Sequence, residues 1–157
     1  MDTMSSYLTQ DHARCDALFK QVQQCVRGVD WRQARLAMAA FQHALERHLL
    51  IEERILFTAF ERAIGRATSP TDAMRAEHLR IRAVAQRLSD TVGAGDMGGF
   101  VKHAEALLLV LHQHSEKEEN MLYPMIERVL AHGSVELVSA MQAFGACDVR
   151  DLRASAA

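Results

Sequence analysis

Apolar residues recur every three or four positions through almost the whole chain, which is the period of an amphipathic α-helix. Four such stripes are long, and breaks near Gly28, at Gly65 to Ser69 and at Gly93 to Gly99 separate them. A shorter stripe at Val135 to Phe144 predicts a final fifth helix. Because short loops make consecutive long helices antiparallel, the pattern predicts an all-α fold: an up-down-up-down four-helix bundle with a short C-terminal helix.

Residues that favour helix N-termini stand where several stripes begin. Asp30 precedes the second stripe, with Gln33 three residues later as its capping-box partner. Ser69 is the expected N-cap of the third helix, with Pro70 at its first position. Ser134 is the expected N-cap of the final helix.

Size and composition fit one domain spanning residues 1–157. Hydrophobic residues make up 49% of the chain and charged residues 24%, as in ordinary globular proteins. The net charge of −2 comes without a basic cluster, so we expect neither nucleic acid nor a membrane surface as a partner. Three cysteines without CxxC spacing are not typical of a disulfide framework or a thiolate zinc site. With no visible signal peptide or transmembrane run, the sequence predicts a cytoplasmic protein.

The second half of the chain repeats the first after a shift of 66 residues, without a gap. Identical residues fall together at His12 and His78, His48 and His114, Glu52 and Glu118, and Glu53 and Glu119. With 8 His in 157 residues, each histidine match has a chance of about one in twenty, so several together indicate a repeated unit. The fold should therefore contain two similar helix hairpins.

Each hairpin supplies one histidine from its first helix and a His-xxx-Glu pair from its second. The spacing of four puts His48 and Glu52 on one helix face, one turn apart, and does the same for His114 and Glu118. Both pairs lie in the apolar stripe. Counting about 1.5 Å per residue from the helix ends places His12 and His48 at a similar depth in the bundle.

Four imidazoles and two carboxylates should therefore meet in the core. Ionised glutamates in apolar surroundings are costly unless protons or cations compensate them. Imidazole and carboxylate without thiolate suit iron or manganese, and zinc also accepts this set. The candidate metal ligands are His12, His48, Glu52, His78, His114 and Glu118.

This pattern resembles the hemerythrin-like, or HHE cation-binding, family of non-haem di-iron four-helix bundles. The segments that carry the resemblance are Asp11-His12, His48 to Glu53, Glu77-His78, His114 to Glu119 and Leu122-Tyr123-Pro124. The resemblance implies two iron ions, bridged by Glu52, by Glu118 and by an oxo or hydroxo group. It also implies the four histidines as terminal ligands, and a small ligand such as O2 at an open position.

One ligand of the oxygen-carrying hemerythrins is missing. Those carriers have five histidines, two of them four residues apart on the third helix. Here Met74 and Arg82 stand four positions before and after His78, and neither is an ordinary iron ligand. Carriers also have Asp five residues after the histidine of the fourth helix, which is the position of Glu119. We favour Glu118 because it keeps the helical face and matches the first half.

Other chemically capable residues have ordinary interpretations. Histidines off the stripe or too far along a helix are His43, His103, His112 and His132. Glu53 and Glu119 are expected at the surface or orienting a ligand histidine. Cys15 is expected to be a small buried hydrophobe.

The fourth helix has three further notable positions. Pro124 should interrupt regular bonding just past the site, whereas Thr58 takes its place in the first half, so the halves should differ there. Tyr123 either reaches the pocket or packs in the core. Met121 and Met125 continue the apolar stripe as core filler.

We interpret the chain as a non-enzymatic di-iron protein that binds or senses O2, nitric oxide or peroxide. One alternative is a di-iron enzyme with peroxidase-like or nitric-oxide-related activity, or an iron donor for iron–sulfur repair. Another is metal storage or a structural zinc site. Because the repeat is symmetric and the fifth histidine is missing, both irons should be accessible. The reduced site should then oxidise quickly rather than carry oxygen reversibly. The sequence leaves the oligomeric state open.

Overall fold

A computed structural model describes residues 3–65 and 69–147, and these contain no strand. The helices are α1 (Met4–Arg27), α2 (Trp31–Ile51), α3 (Phe57–Ile64), α4 (Ser69–Ala94), α5 (Met97–Lys117), α6 (Tyr123–Val129) and α7 (Ser134–Gly145). Turns of π-helix join α2 to α3 at Glu52–Leu56 and α5 to α6 at Glu118–Leu122, and a 3-10 turn at Ala131–Gly133 precedes α7. The all-α prediction is confirmed.

The helices begin close to the predicted positions, with two corrections. Asp30 caps α2 as expected, because its Oδ1 accepts a hydrogen bond from the Gln33 backbone N–H at 3.0 Å. Ser69 and Ser134, however, are the first helical residues of α4 and α7 and not their N-caps. Gly133 occupies the N-cap position of α7.

The glycine-rich segment between α4 and α5 is a much shorter loop than the predicted Gly93 to Gly99. Only Gly95 and Asp96 lie outside the two helices. Gly95 turns the chain with φ +66°, a backbone conformation that glycine adopts without strain. Asp96 then caps α5 through the Gly99 N–H, at 3.0 Å. Gly95, which turns the chain, and Asp96, which caps α5, are therefore enough to connect the two helices.

Four long helices surround the core. α1 packs along α2, α4 along α5, and α2 along α4. One apolar cluster includes Phe19, Phe41, Ile81 and Leu107. A second cluster includes Leu8, Ile51, Met74 and Leu122. On α1, α2 and α4 the candidate ligand histidine lies between a residue of one cluster and a residue of the other. His114 of α5 lies between Leu107 and Leu122, which stands in the π-turn after α5. Within the described residues, no helix has the length and apolar character that crossing a bilayer would require.

The π-turns change which residues face the core. A helix of regular spacing would bury Ile55 and Ala59 after Glu52, but the structure buries Leu56 and Phe60 and leaves Ile55 and Ala59 half-buried. A π-turn contains an extra residue, so the buried face moves by one position after Glu52.

The same shift occurs in the second half after Glu118. Leu122 and Ile126 are buried there, whereas Met121 is 70% exposed, so the prediction of Met121 as core filler is wrong. Both halves contain the π-turn, but they differ at the next turn as expected: the Thr58 hydroxyl donates to the Glu53 carbonyl at 3.0 Å, and Pro124 at the equivalent position has no donor.

Candidate metal centre

The six predicted ligand residues come together between the two apolar clusters. Donor atoms within 4.8 Å of one another form two groups: His12, His48, Glu52 and Glu118, and Glu52, His78, His114 and Glu118. Glu52 and Glu118 belong to both groups. Each group could hold a metal ion, and the two carboxylates are common to both groups.

Several donor atoms of this site are buried without a hydrogen-bond partner among the described residues. They are Nε2 of His48, His78 and His114, Oε2 of Glu52 and Oε1 of Glu118. His114 Nε2 lies 2.8 Å from Glu118 Oε1, but not in hydrogen-bonding geometry. Buried polar atoms nearly always have partners. Five unpaired atoms gathered at one place therefore fit a site for cations.

The other ring nitrogen of each histidine faces a carboxylate. The pairs are His12 Nδ1 and Glu119 at 2.7 Å, His48 Nδ1 and Asp11 at 3.1 Å, His78 Nδ1 and Glu53 at 2.8 Å, and His114 Nδ1 and Glu77 at 2.8 Å. A carboxylate on Nδ1 fixes the ring and leaves Nε2 for a metal, as in many metalloproteins. All four imidazoles are thus oriented in the same way.

Two of these orienting carboxylates were expected and two were not. Glu53 and Glu119 had orientation of a histidine as one expected role. Asp11 and Glu77 were noted only as neighbours of histidines. Their signal in the sequence is that an acid stands at equivalent positions of both halves, one residue before each first-helix histidine.

Electrostatics make the centre a receptor for positive charge. Burial alone would raise the pKa of Glu118, but the neighbouring imidazoles of His114, His12 and His78 outweigh it and hold that pKa well below its usual range. Burial lowers the pKa of His12, yet the nearby carboxylates of Glu118 and Glu119 raise it to about 9. The raised pKa of His12 favours its protonated form in the metal-free protein, and a bound metal would displace that proton.

The sequence model of the hemerythrin HHE cation-binding domain family matches residues 3–126 of the chain and, in a second match, residues 72–145. The chain belongs to the hemerythrin HHE cation-binding domain family. The second match starts beyond the first hairpin, in agreement with the internal repeat of this HHE domain. No curated protein and no solved structure matched the chain.

One aromatic side chain of this HHE domain reaches the shared carboxylates. The Tyr123 hydroxyl lies 2.5 Å from Glu52 Oε1, 3.1 Å from Glu118 Oε2 and 3.3 Å from His12 Nε2. Burial and the two negative charges raise the pKa of Tyr123 well above its usual value, so the phenol is neutral. Sequence reasoning left the position of Tyr123 open. The π-turn brings it inward five residues after Glu118.

The two ends of the HHE domain's site are not equivalent. The side chain of His12 is 11% exposed, whereas that of His78, its counterpart, is completely buried. The expectation that the symmetric repeat leaves both ends open is therefore wrong for His78. Arg82, on the same helix as His78, binds Glu46 and Glu53.

The remaining candidates lie outside the donor groups. Exposed histidines are His43, His112 and His132, and His103 is half-buried. None of these four belongs to either group of donor atoms. Cys15 is buried, as expected for a small hydrophobe.

Proposed function

We propose that this HHE domain is a non-haem di-iron protein that binds or senses O2, nitric oxide or peroxide. The observation that carries the proposal is the pair of donor groups sharing Glu52 and Glu118. In this proposal, His12 and His48 hold one ion, and His78 and His114 hold the other. In this proposal the long helices α1, α2, α4 and α5 run up-down-up-down in one domain. Each of the four contributes one of these histidines.

The donor set supports iron over a structural zinc. Imidazole and carboxylate ligands without thiolate suit iron and manganese, although zinc also accepts them. Thiolates are the ligands typical of structural zinc sites, and Cys15 is not among the gathered donors. Bound iron would supply redox chemistry and affinity for small oxidants. The chain itself orients the four imidazoles through carboxylates and supplies one phenol.

The missing fifth histidine favours reaction with the ligand over reversible carriage. Met74 occupies the position four residues before His78. Its thioether is a soft donor, which hard iron ions bind poorly. Tyr123 instead brings a hydroxyl to the His12 end. The free cysteines Cys15, Cys25 and Cys147 support the proposed cytoplasmic location, because that compartment keeps thiols reduced.

Elemental analysis and absorption spectra of the full chain, loaded anaerobically with ferrous iron, test the proposal. We expect two irons per chain and a spectrum that changes within seconds of mixing with air. A content of one metal or less would contradict the di-iron site. Preference for zinc with an air-insensitive spectrum would favour the structural alternative. A visible band that persists for minutes and disappears on degassing would show reversible carriage. Steady turnover of peroxide or nitric oxide would make the protein an enzyme.

A further inference from the structure

The two helix seams beside the metal centre are built differently. We call the contact of α2 with α4 the closed seam, because side chains bridge it. Arg82 of α4 contacts Glu53 at 2.8 Å and Glu46 at 3.0 Å. Further along, Ser89 Oγ lies 3.1 Å from Gln42 Oε1. These contacts join the two helices over the His78 end of the site.

The opposite seam, between α1 and α5, lacks the corresponding residues. A shift of 66 positions places Asp16 where the closed seam has Arg82, and His112 where it has Glu46. His112 contacts Glu116 of its own helix at 3.3 Å. No hydrogen bond or ion pair within the described part of the chain joins Asp16 to α5. The helices α1 and α5 accordingly do not pack closely against each other.

A groove of about 870 Å³ lies between α1 and α5 and reaches His12. Ser115 lines it, and the residue at the equivalent position of the first half is the larger Leu49. Leu49 is 1% exposed and belongs to the first apolar cluster. The groove therefore connects solvent to one histidine of the proposed centre and not to its counterpart, His78.

We propose that this groove is the route by which small uncharged ligands reach the metal centre, arriving at the His12–His48 end. This inference rests on the di-iron function proposed above. The groove walls carry the acids Asp16, Glu116 and Glu119 and the single amine of Lys20, with the imidazoles of His12 and His112 beside Glu119 and Glu116. Excess negative charge repels anions and leaves O2, nitric oxide and hydrogen peroxide unaffected. The other end stays closed behind Arg82.

The closed seam provides the design for testing this route. The double substitution Asp16→Arg and His112→Glu copies the pair Arg82 and Glu46 into the seam between α1 and α5. Glu119 already stands at the position equivalent to Glu53. The probe is nitric oxide, mixed by stopped flow with the reduced, iron-loaded full chain. We expect the association rate to fall about tenfold or more. The final absorbance change and the iron content should stay at wild-type values.

A matched control places the same two exchanges elsewhere. Asp90→Arg with His43→Glu makes identical changes at exposed positions of α4 and α2, away from the groove, and should leave the rate unchanged. Ser115→Leu fills the groove without altering charge and should also slow association. If circular dichroism shows that the double variant does not fold, the Ser115→Leu variant alone tests the route.

The outcomes separate this inference from the proposed function. A wild-type chain that binds no iron overturns both. Iron-loaded groove variants that bind nitric oxide at the wild-type rate overturn the route alone, as does equal slowing in the control. Azide mixed with the oxidised protein tests the charge argument, because added salt should speed azide association and leave that of nitric oxide constant. An azide rate that is indifferent to salt overturns the preference for uncharged ligands.

Discussion

The Tyr123 hydroxyl lies 2.5 Å from Glu52, whereas Phe57, the residue at the equivalent position of the first half, has no hydroxyl and stacks on His78 with ring centroids 5.6 Å apart. The two rings enter the site from the same place in each half, directly after a π-turn. One oxygen atom thus distinguishes the two ends. It stabilises the buried charge of Glu52 and Glu118 at one end only.

Changing Tyr123→Phe should destabilise the metal-free protein by about 1.5–3 kcal/mol, the usual contribution of hydrogen bonds to charged groups. The ring and its packing would remain, so the loss reports on the hydroxyl. Urea denaturation followed by circular dichroism measures it. Tyr7→Phe is the matched control, because the Tyr7 hydroxyl makes one long contact of 3.4 Å with the Met141 carbonyl. Equal effects of the two changes would contradict this prediction.

Replacing His48→Ala should remove at least one of the two irons. Without that metal the melting temperature should fall by roughly 5–10 °C, since bound metal stabilises the folded state by mass action. His114→Ala should behave alike, because it holds the equivalent position in the second half. Elemental analysis and thermal melts provide the measurements. The exposed His43→Ala is the control, and unchanged iron content in the His48 variant would refute the proposed site.

Removing the metal should leave a helical protein that melts at a lower temperature. The two apolar clusters supply a core that does not depend on the site. The two shared carboxylates keep their contacts with histidine and tyrosine, although several buried donor atoms no longer have a cation beside them. Far-ultraviolet circular dichroism before and after chelation tests this expectation. Complete loss of helix on chelation would show that the apolar clusters are insufficient.

Changing Asp11→Asn or Glu77→Gln should weaken metal binding by about 10- to 100-fold without removing a ligand. Each carboxylate faces the Nδ1 of a histidine, at 3.1 Å for His48 and 2.8 Å for His114. The neutral amides orient the rings less firmly and reduce their basicity. Competition with a chromophoric chelator measures the affinity. Asp90→Asn, at an exposed position, is the control and should bind metal as wild type does.

The Cys15 thiol should resist alkylation in the folded protein. Burial, together with the negative charge of Asp11, raises its pKa to about 12, so the reactive thiolate is absent at pH 8 and still scarce at pH 9.5. Cys147 is exposed and should react readily, with Cys25 following more slowly. Mass spectrometry after iodoacetamide treatment identifies the modified residues, and urea should make all three reactive. Rapid labelling of native Cys15 at pH 8 would contradict the buried position.

The long helices and the gathered donors were readable from the sequence because they follow a local period and a repeat. His48 and Glu52 need only a spacing of four to share a face. The π-turns were not predictable in this way, since they change that period by one residue at a point that tertiary packing selects. Met121 was therefore placed in the core wrongly, and the inward position of Tyr123 remained undecided.

The unequal ends of the site were present in the sequence but were hidden by the matching histidines. Comparing Asp16 with Arg82, or Ser115 with Leu49, shows how the halves diverge around a constant set of donors. Such differences matter only once the helices that face each other are known. The sequence alone does not state that α2 packs on α4 more closely than α1 packs on α5.

Neither hairpin holds a complete cation position by itself. The donor group of His12 and His48 requires Glu118 from the other half, and His12 is oriented by Glu119 of that same half. The reciprocal dependence holds for His78, which faces Glu52 and Glu53. A bound metal would therefore act as a noncovalent crosslink between the two hairpins, in addition to the packing of α2 on α4. Metal supply would then strengthen the association of the bundle's two halves, in addition to setting the occupancy of a pocket.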